Sequence, residues 1–295
     1  MADAKLLEGR KLAEKLLQAI EKEIKRLTAS SAEKRDDTAP TMVALSVGNN
    51  QASEVYLKSQ KKIAEKVGIR HLTKSFKETM KEDALIQEIE QLNNDPSIHG
   101  IIVQMPLPQQ IRIGRILDVI SPEKDIEGVH PYNLGRLVLK KNIFVPCTAH
   151  AVMELIDATG ADLYGAEVVI VGAGKVVGRP LALLLMERMA TTTVCNIGTS
   201  EKKRLETHVR GADVLIVAAG KANLIPGEWI KEGSIVVDVG INHCGGKVVG
   251  DVDFEGARKK AAYITPVPGG VGPLTVTILM RNVLTAYQLL KGFHE

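Results

Sequence analysis

The sequence predicts two α/β domains, the second of them a Rossmann-like dinucleotide-binding domain. Three observations lead there. The chain has 295 residues, more than the roughly 100 to 200 of a single domain, so two cores with a cleft between them are expected. Apolar runs of strand length alternate with segments of helical period, which implies mostly parallel sheets. One such run, Val168-Val169-Ile170-Val171, leads straight into a glycine turn and then a helix.

The elements follow in order. Apolar residues at helical spacing (Leu12, Leu16, Leu17, Ile20, Ile24) predict a helix over Leu6 to Leu27, and Met42 to Val47 reads as a buried strand ended by Gly48. Ser53 to Val67 is helix-like, Ile69 to Leu72 a short strand, Lys81 to Leu92 a helix, and Gly100 to Gln104 a strand stopped by Pro106. A second series has a helix over Ala151 to Thr159, the strand Val168 to Val171, a helix over Val176 to Met186 and a strand over Thr192 to Cys195. Strands at Val214 to Ala218, Ser234 to Val237 and Ala262 to Thr265 continue it, and a last helix runs from Leu274 to Leu290 and is expected to return to the first domain. The expected division is 1–149 with 276–295, and 150–275.

Composition narrows the function. Hydrophobic residues at 45% and charged residues at 25% describe an ordinary globular chain. The net charge of +3 is a balance of 38 basic and 35 acidic residues, and aromatics at 3% offer no stacking platform, so nucleic acid is not an expected partner. No run approaches the roughly 20 apolar residues of a membrane span, and the charged start MADAKLLEGRKLAEKL has no signal-peptide core, so the expected location is cytoplasmic. Cys147, Cys195 and Cys244 are scattered and odd in number, which disfavours a disulfide framework or a structural metal. His130, His150 and His243 read as hydrogen-bonding or solvated side chains.

Three segments carry chemistry. In Gly172-Ala173-Gly174-Lys175-Val176-Val177-Gly178 the glycines let backbone approach a pyrophosphate at a helix start, so a dinucleotide is the natural ligand. A tight turn built for packing alone would carry the same glycines. The run Thr265-Pro266-Val267-Pro268-Gly269-Gly270-Val271-Gly272-Pro273-Leu274-Thr275 combines fixed and permissive backbone beside a helix start, which suits a rigid site loop or a chain reversal. Gln104 stands at the carboxyl end of a strand, where open α/β sheets bind ligands and where capping residues also occur.

Taken together, ASEVYLKSQKKIAEKVGI, VQMPLP, SPEKDIEGVHPYNLGRL, VPCT, VVGRP, GEWIKEGSIVVDVGIN, VVGDVDF and TPVPGGVGPLT closely resemble the methylenetetrahydrofolate dehydrogenase/methenyltetrahydrofolate cyclohydrolase family over nearly the whole chain. The resemblance implies a folate-site domain, a dinucleotide domain and a homodimer formed through the latter. It implies catalytic positions at Tyr56, Gln60, Gln104 and Glu127. Substrate contacts are implied at Tyr56, Val103, Gln104, Met105, Asp125, Pro268, Gly269, Gly270, Val271 and Thr275. Cofactor contacts are implied at Thr148, at Gly172 to Gly178, and at Asn196, Ile197, Ala218, Ile241 and Thr275.

The chain departs from that family at three places. Gln60 stands where the family's Tyr-x-x-x-Lys pattern has the lysine of the hydrolytic step, and Lys58, Lys61 and Lys62 are turned about 100 to 200° away around the helix. Glu127 replaces the aspartate that grips the pterin. Ala173 replaces an arginine suited to a ribose 2′-phosphate, and Asn196-Ile197 replaces His-Ser. The expectation is an NAD-preferring methylenetetrahydrofolate dehydrogenase, with NADP the other cofactor and cyclohydrolase activity weak or absent. The alternatives are a fully bifunctional enzyme with a relocated proton-transfer group and, in another class, a non-catalytic folate- or dinucleotide-binding protein.

Overall fold

The computed structural model describes residues 3–32 and 39–293. In chain order the elements are β1 (Lys5–Leu6), α1 (Gly9–Ala32), β2 (Thr41–Val47), α2 (Gln51–Val67), β3 (Arg70–Phe76), α3 (Glu82–Asn94), β4 (Gly100–Val103), α4 (Ile113–Val119) and α5 (Pro131–Val138). They continue as α6 (Cys147–Asp157), β5 (Glu167–Val171), α7 (Gly178–Glu187), β6 (Thr191–Cys195), α8 (Ile197–Glu201), α9 (Leu205–Gly211), β7 (Val214–Val217) and β8 (Ile235–Asp238). Last come β9 (Asn242–Cys244), β10 (Lys247–Val249), α10 (Phe254–Arg258), β11 (Tyr263–Ile264) and α11 (Val271–Lys291).

The chain divides into two compact units, Glu14–Val145 with Val276–Glu295, and Met1–Ala13 with Pro146–Thr275. The division differs from the expected one at the start of the chain. Lys5 and Leu6 pair in parallel with Tyr263 and Ile264, which attaches the first residues to the second unit's sheet. A two-residue strand whose partner lies more than 250 positions away leaves no periodic trace in the sequence.

The 14–145 unit is built on a parallel sheet of order β3-β2-β4. The central strand β2 is buried at every residue, which is why it reads as an unbroken apolar run. β3 runs on to Phe76, beyond the expected Leu72, because it pairs with β2 from Arg70 to Phe76. As an edge strand it carries Thr73, Lys74 and Ser75, which hide it from an apolar reading. α3 places Leu85, Ile89 and Leu92 on one face, packed with Val43, Leu45, Ile101 and Val103 of the sheet.

The 146–275 unit holds a parallel six-stranded sheet of order β1-β11-β8-β7-β5-β6. From β5 onward this is the doubly wound order 2-1-3-4-5, and the direction of winding reverses between β5 and β7. The helix after the glycine turn begins at Gly178, two residues later than the expected Val176, because residues 175–177 form a turn. α6 begins at Cys147, earlier than the expected Ala151, with Pro146 as its N-cap, so Thr148 lies in its first turn.

Candidate active site

In the 14–145 unit, β4 delivers Gln104 to the carboxyl edge of the sheet, where its backbone N–H bonds the Leu45 carbonyl at 2.8 Å. The Met105–Pro106 peptide is cis, and the Ser53 hydroxyl donates to the Met105 carbonyl at 2.8 Å, tying the start of α2 to the end of β4. A pocket of about 200 Å³ opens there, with Tyr56 and Ser53 from α2, Val103, Gln104 and Met105 from the strand end, and Glu127 on its wall.

Glu127 is held by the anchoring of the residues before it. The Lys124 ammonium is buried and donates to the carbonyls of Leu92, Asn93 and Asp95, closing the end of α3. Burial lowers the Lys124 pKa. The Asp125 carboxylate accepts from the N–H groups of Gly128 and His130 and from the Asn133 amide. The Ile126 carbonyl accepts from the Asn282 amide of α11 at 2.8 Å, and the Ile126 side chain fills the space a Cβ on Gly100 would need. Burial first, and the Asp125 carboxylate second, push the Glu127 pKa up to about 7.

Gln60 does not line this pocket; it is fully buried behind Gln104. Its Oε1 accepts from Gln104 Nε2 at 3.5 Å and lies 3.4 Å from His71 Nε2.

In the 146–275 unit, Gly172 has φ +120°, and a Cβ there would lie 2.2 Å from the Ala218 carbonyl oxygen. Gly178 comes as close to the Gly172 carbonyl. These two glycines draw the ends of β5 and β7 and the start of α7 together at the point where the winding reverses. Gly174 faces open space, and no side chain caps α7 at Val177. A turn whose middle glycine is open, at an uncapped helix start, fits the pyrophosphate of a dinucleotide. Arg179 Nε donates to the Ala173 carbonyl at 3.1 Å, bracing the turn. The Asn196 side chain is occupied as the N-cap of α8, accepting from Gly198 and Thr199, and Ile197 is exposed.

The loops beyond β7 and β8 are joined by two buried carboxylates. Asp251 accepts from the N–H groups of Ala219 and Gly220 and from the Asn242 amide. Asp238 accepts from the N–H groups of Gly240, Asp251 and Val252, and burial raises its pKa to about 6. Ala218 and Ile241 flank this clamp. The Val267–Pro268 peptide is cis, Gly269 has φ +117°, Gly270 N–H bonds the Pro266 carbonyl, and Gly9 packs directly on Gly270. The Thr275 hydroxyl bonds the Val271 carbonyl in the first turns of α11.

Residues 7–127 match the catalytic domain, and residues 146–291 the NAD(P)-binding domain, of tetrahydrofolate dehydrogenase/cyclohydrolase. The chain belongs to that family. Among relatives, the bifunctional protein FolD of a Nitratiruptor species is 43% identical, covering 95% of this chain and 97% of that protein. The bifunctional protein FolD 2 of Geobacter sulfurreducens is 44% identical, covering 97% and 98%. The crystal structure of the bifunctional FolD enzyme of Campylobacter jejuni, 42% identical, superposes with a TM-score of 0.92 over 97% of this chain and 99% of that one. The Trypanosoma brucei family enzyme, solved with NADP and an inhibitor, is 36% identical with a TM-score of 0.92 over the whole of both chains.

Within this family member, the structure gathers Tyr56, Val103, Gln104, Met105 and Glu127 around one pocket, with Asp125 behind it. Gln60, Thr148, the glycine turn, Asn196, Ile197, Ala218, Ile241 and Pro268 to Thr275 lie outside that lining. Sequence reasoning missed Ser53, His71, Arg179 and the Asp238–Asp251 clamp. Ser53 lies in the ASEVYLKSQKKIAEKVGI segment, Arg179 in VVGRP and the two aspartates in GEWIKEGSIVVDVGIN and VVGDVDF, whereas His71 lies in none of the segments that carry the resemblance.

Proposed function

We propose that the chain oxidises 5,10-methylenetetrahydrofolate to the 5,10-methenyl form by hydride transfer to a nicotinamide dinucleotide, and then hydrolyses that product to 10-formyltetrahydrofolate. The observation that carries this reading is the pocket shared by Tyr56, Gln104 and Glu127, in a chain that relatives named as bifunctional match over at least 95% of its length. The unit with that pocket would bind the folate, and the unit with the glycine turn the dinucleotide. When bound, the nicotinamide supplies the hydride acceptor. Tyr56 offers a ring to stack on the substrate, Gln104 a hydrogen bond near the reacting carbon, and the loop Pro268 to Thr275, with Thr148, Ala218 and Ile241, a surface for the nicotinamide half.

The hydrolytic step is supported by those relatives against the expectation drawn from Gln60. Gln60 has no proton to exchange near neutral pH, whereas the Glu127 carboxyl, at about 7, does. Water bonds to the methenyl carbon and gives a proton to Glu127. The adduct then opens as its hydroxyl proton leaves to solvent, with N5 keeping the C–N electron pair and taking the proton back from Glu127. The second reading, a dehydrogenase alone, is favoured by the buried amide at position 60.

Following the nicotinamide and methenyl absorbance bands decides between them. Decay of the methenyl band faster than without enzyme supports both steps, and accumulation supports oxidation alone. No change in either band refutes the reading.

NAD is the proposed cofactor in preference to NADP. Ala173 brings no charge to the turn, Asn196 is spent on a helix cap and Ile197 is apolar, leaving Lys175 and the bracing Arg179 as the exposed cations there. A homodimer through the 146–275 unit is also proposed, supported by the edge position of β6 and the exposure of Val194, Met186 and Met189 around it. A cytoplasmic location accords with bacterial relatives and with the lack, among the described residues, of any helix long and apolar enough to cross a membrane.

A further inference from the structure

His71 lies on β3, outside every motif that carries the family resemblance, yet its ring reaches the residue behind the pocket. Its Nε2 stands 3.4 Å from Gln60 Oε1, and Gln104 Nε2 stands 3.5 Å from the same oxygen. A carbonyl oxygen with two lone pairs can accept from both, and an amide nitrogen at that point could not. Gln60 Nε2 and His71 Nδ1 are buried with no hydrogen-bond partner among the described residues.

We infer that His71 is a positioning residue that sets, through Gln60, which end of the Gln104 amide faces the pocket. With a proton on His71 Nε2, Gln60 keeps its oxygen toward both neighbours, and Gln104 must give it an N–H. The Gln104 Oε1, which accepts no hydrogen bond from any described residue, is then left to the pocket. Moving the imidazole proton to Nδ1 would make Nε2 an acceptor. Gln60 would have to turn its NH₂ toward it, and Gln104 would have to turn over in response, presenting NH₂ to the pocket instead. That arrangement leaves the Nδ1 proton with no partner beyond the residue's own backbone, whereas an Nε2 proton has the Gln60 oxygen, so the Nε2–H form is the stable one.

Burial lowers the His71 pKa and favours the neutral ring. A hydrogen bond to its own backbone and Glu65 of α2 act against this, Lys61 of α2 acts in the same sense, and the facing residue of β2 is the uncharged Met42. Gln104 therefore offers an acceptor, and the ligand atom it takes is a donor, a ring N–H or an amine. A lysine at position 60, with three donors and no acceptor, would impose the opposite polarity.

The test has a spectroscopic and a kinetic arm, and only the kinetic arm rests on the proposed dehydrogenase reading. In the parent protein, imidazole ¹⁵N shifts are expected to show the Nε2–H form at His71, assigned by its loss in His71→Leu. The Gln104 side-chain amide resonances should move in His71→Leu and return in His71→Gln, which keeps a donor at the same reach. In turnover, His71→Leu should lower kcat/KM for methylenetetrahydrofolate about fivefold, the equivalent of one buried hydrogen bond, and His71→Gln should recover to within about twofold. An Nδ1–H ring in the parent overturns the inference, and so do unmoved Gln104 resonances or parental folate kinetics in His71→Leu. If the parent turns over no methylenetetrahydrofolate with either dinucleotide, the proposed function fails while the spectroscopic arm still decides the role of His71.

Discussion

Replacing Glu127 by Gln removes a carboxyl that the fold makes hard to ionise. Its pKa is 4.5 as an ordinary side chain and about 7 in the folded protein, because burial, and then Asp125, disfavour the charge. Between those values the unfolded chain sheds the proton while the folded chain keeps it. The contribution of Glu127 to the parent's stability is therefore greatest below pH 4.5, falls as the pH rises through this window and levels off above 7. At about 1.4 kcal/mol per pH unit, the span from 4.5 to about 7 corresponds to ~3 kcal/mol, which the partial exposure of Glu127 to the pocket trims to ~2 kcal/mol. Glutamine carries no such dependence. Urea unfolding of parent and Glu127→Gln, followed by circular dichroism at intervals from pH 5 to pH 8, should show the variant gaining on the parent by ~2 kcal/mol across that range. A difference that stays the same at both ends would mean that Glu127 ionises as an ordinary carboxylate, and the acid-base role given to it in the hydrolytic step would go with it.

Other changes probe the remaining parts of the site. Asp251→Ala strips the acceptor from two backbone N–H groups and the Asn242 amide, and should cost ~3 kcal/mol or more, read from the fluorescence of Trp229, which packs on that unit's core; a loss below about 1 kcal/mol would show the clamp to be dispensable. Gly172→Ala drives a methyl into the Ala218 carbonyl at a φ unfavourable to alanine, so calorimetric dinucleotide binding should be lost, and retention of parental affinity would contradict the packing described for the turn. Ala173→Arg should raise the NADP/NAD ratio of kcat/KM, whereas an unchanged ratio would mean that this position does not face the ribose. Tyr56→Ala should raise the folate KM about tenfold with the dinucleotide KM within about twofold, and an equal effect on both would remove stacking as the explanation.

What could be read from the chain depended on how local the signal was. β2 and β4 were plain because both faces of each are buried, and the glycine turn because its three glycines fall within seven consecutive residues. Gln104 was found because a proline follows closely after a short apolar run. α4, α8, α9 and α10 span five to seven residues and have too few turns to show a period. The contacts that hold the site are between residues far apart in sequence: Lys124 with the end of α3, Asn282 with Ile126, and Asp251 with Ala219 and Gly220. His71 was invisible for the same reason, since nothing around it in the sequence announces the glutamine it meets.

The consecutive anchoring of Lys124, Asp125 and Ile126 sets what kind of change this segment can absorb. Each of the three is tied to a different neighbour, so no slack remains between them, and the fourth residue is delivered to the pocket wall by counting alone. An inserted or deleted residue would put a different side chain at every station at once. A change of side chain at the last station disturbs none of the ties. Evolution and engineering can therefore vary the pocket's chemistry at position 127 freely, as the longer carboxylate found there illustrates, but only in a segment of unaltered length.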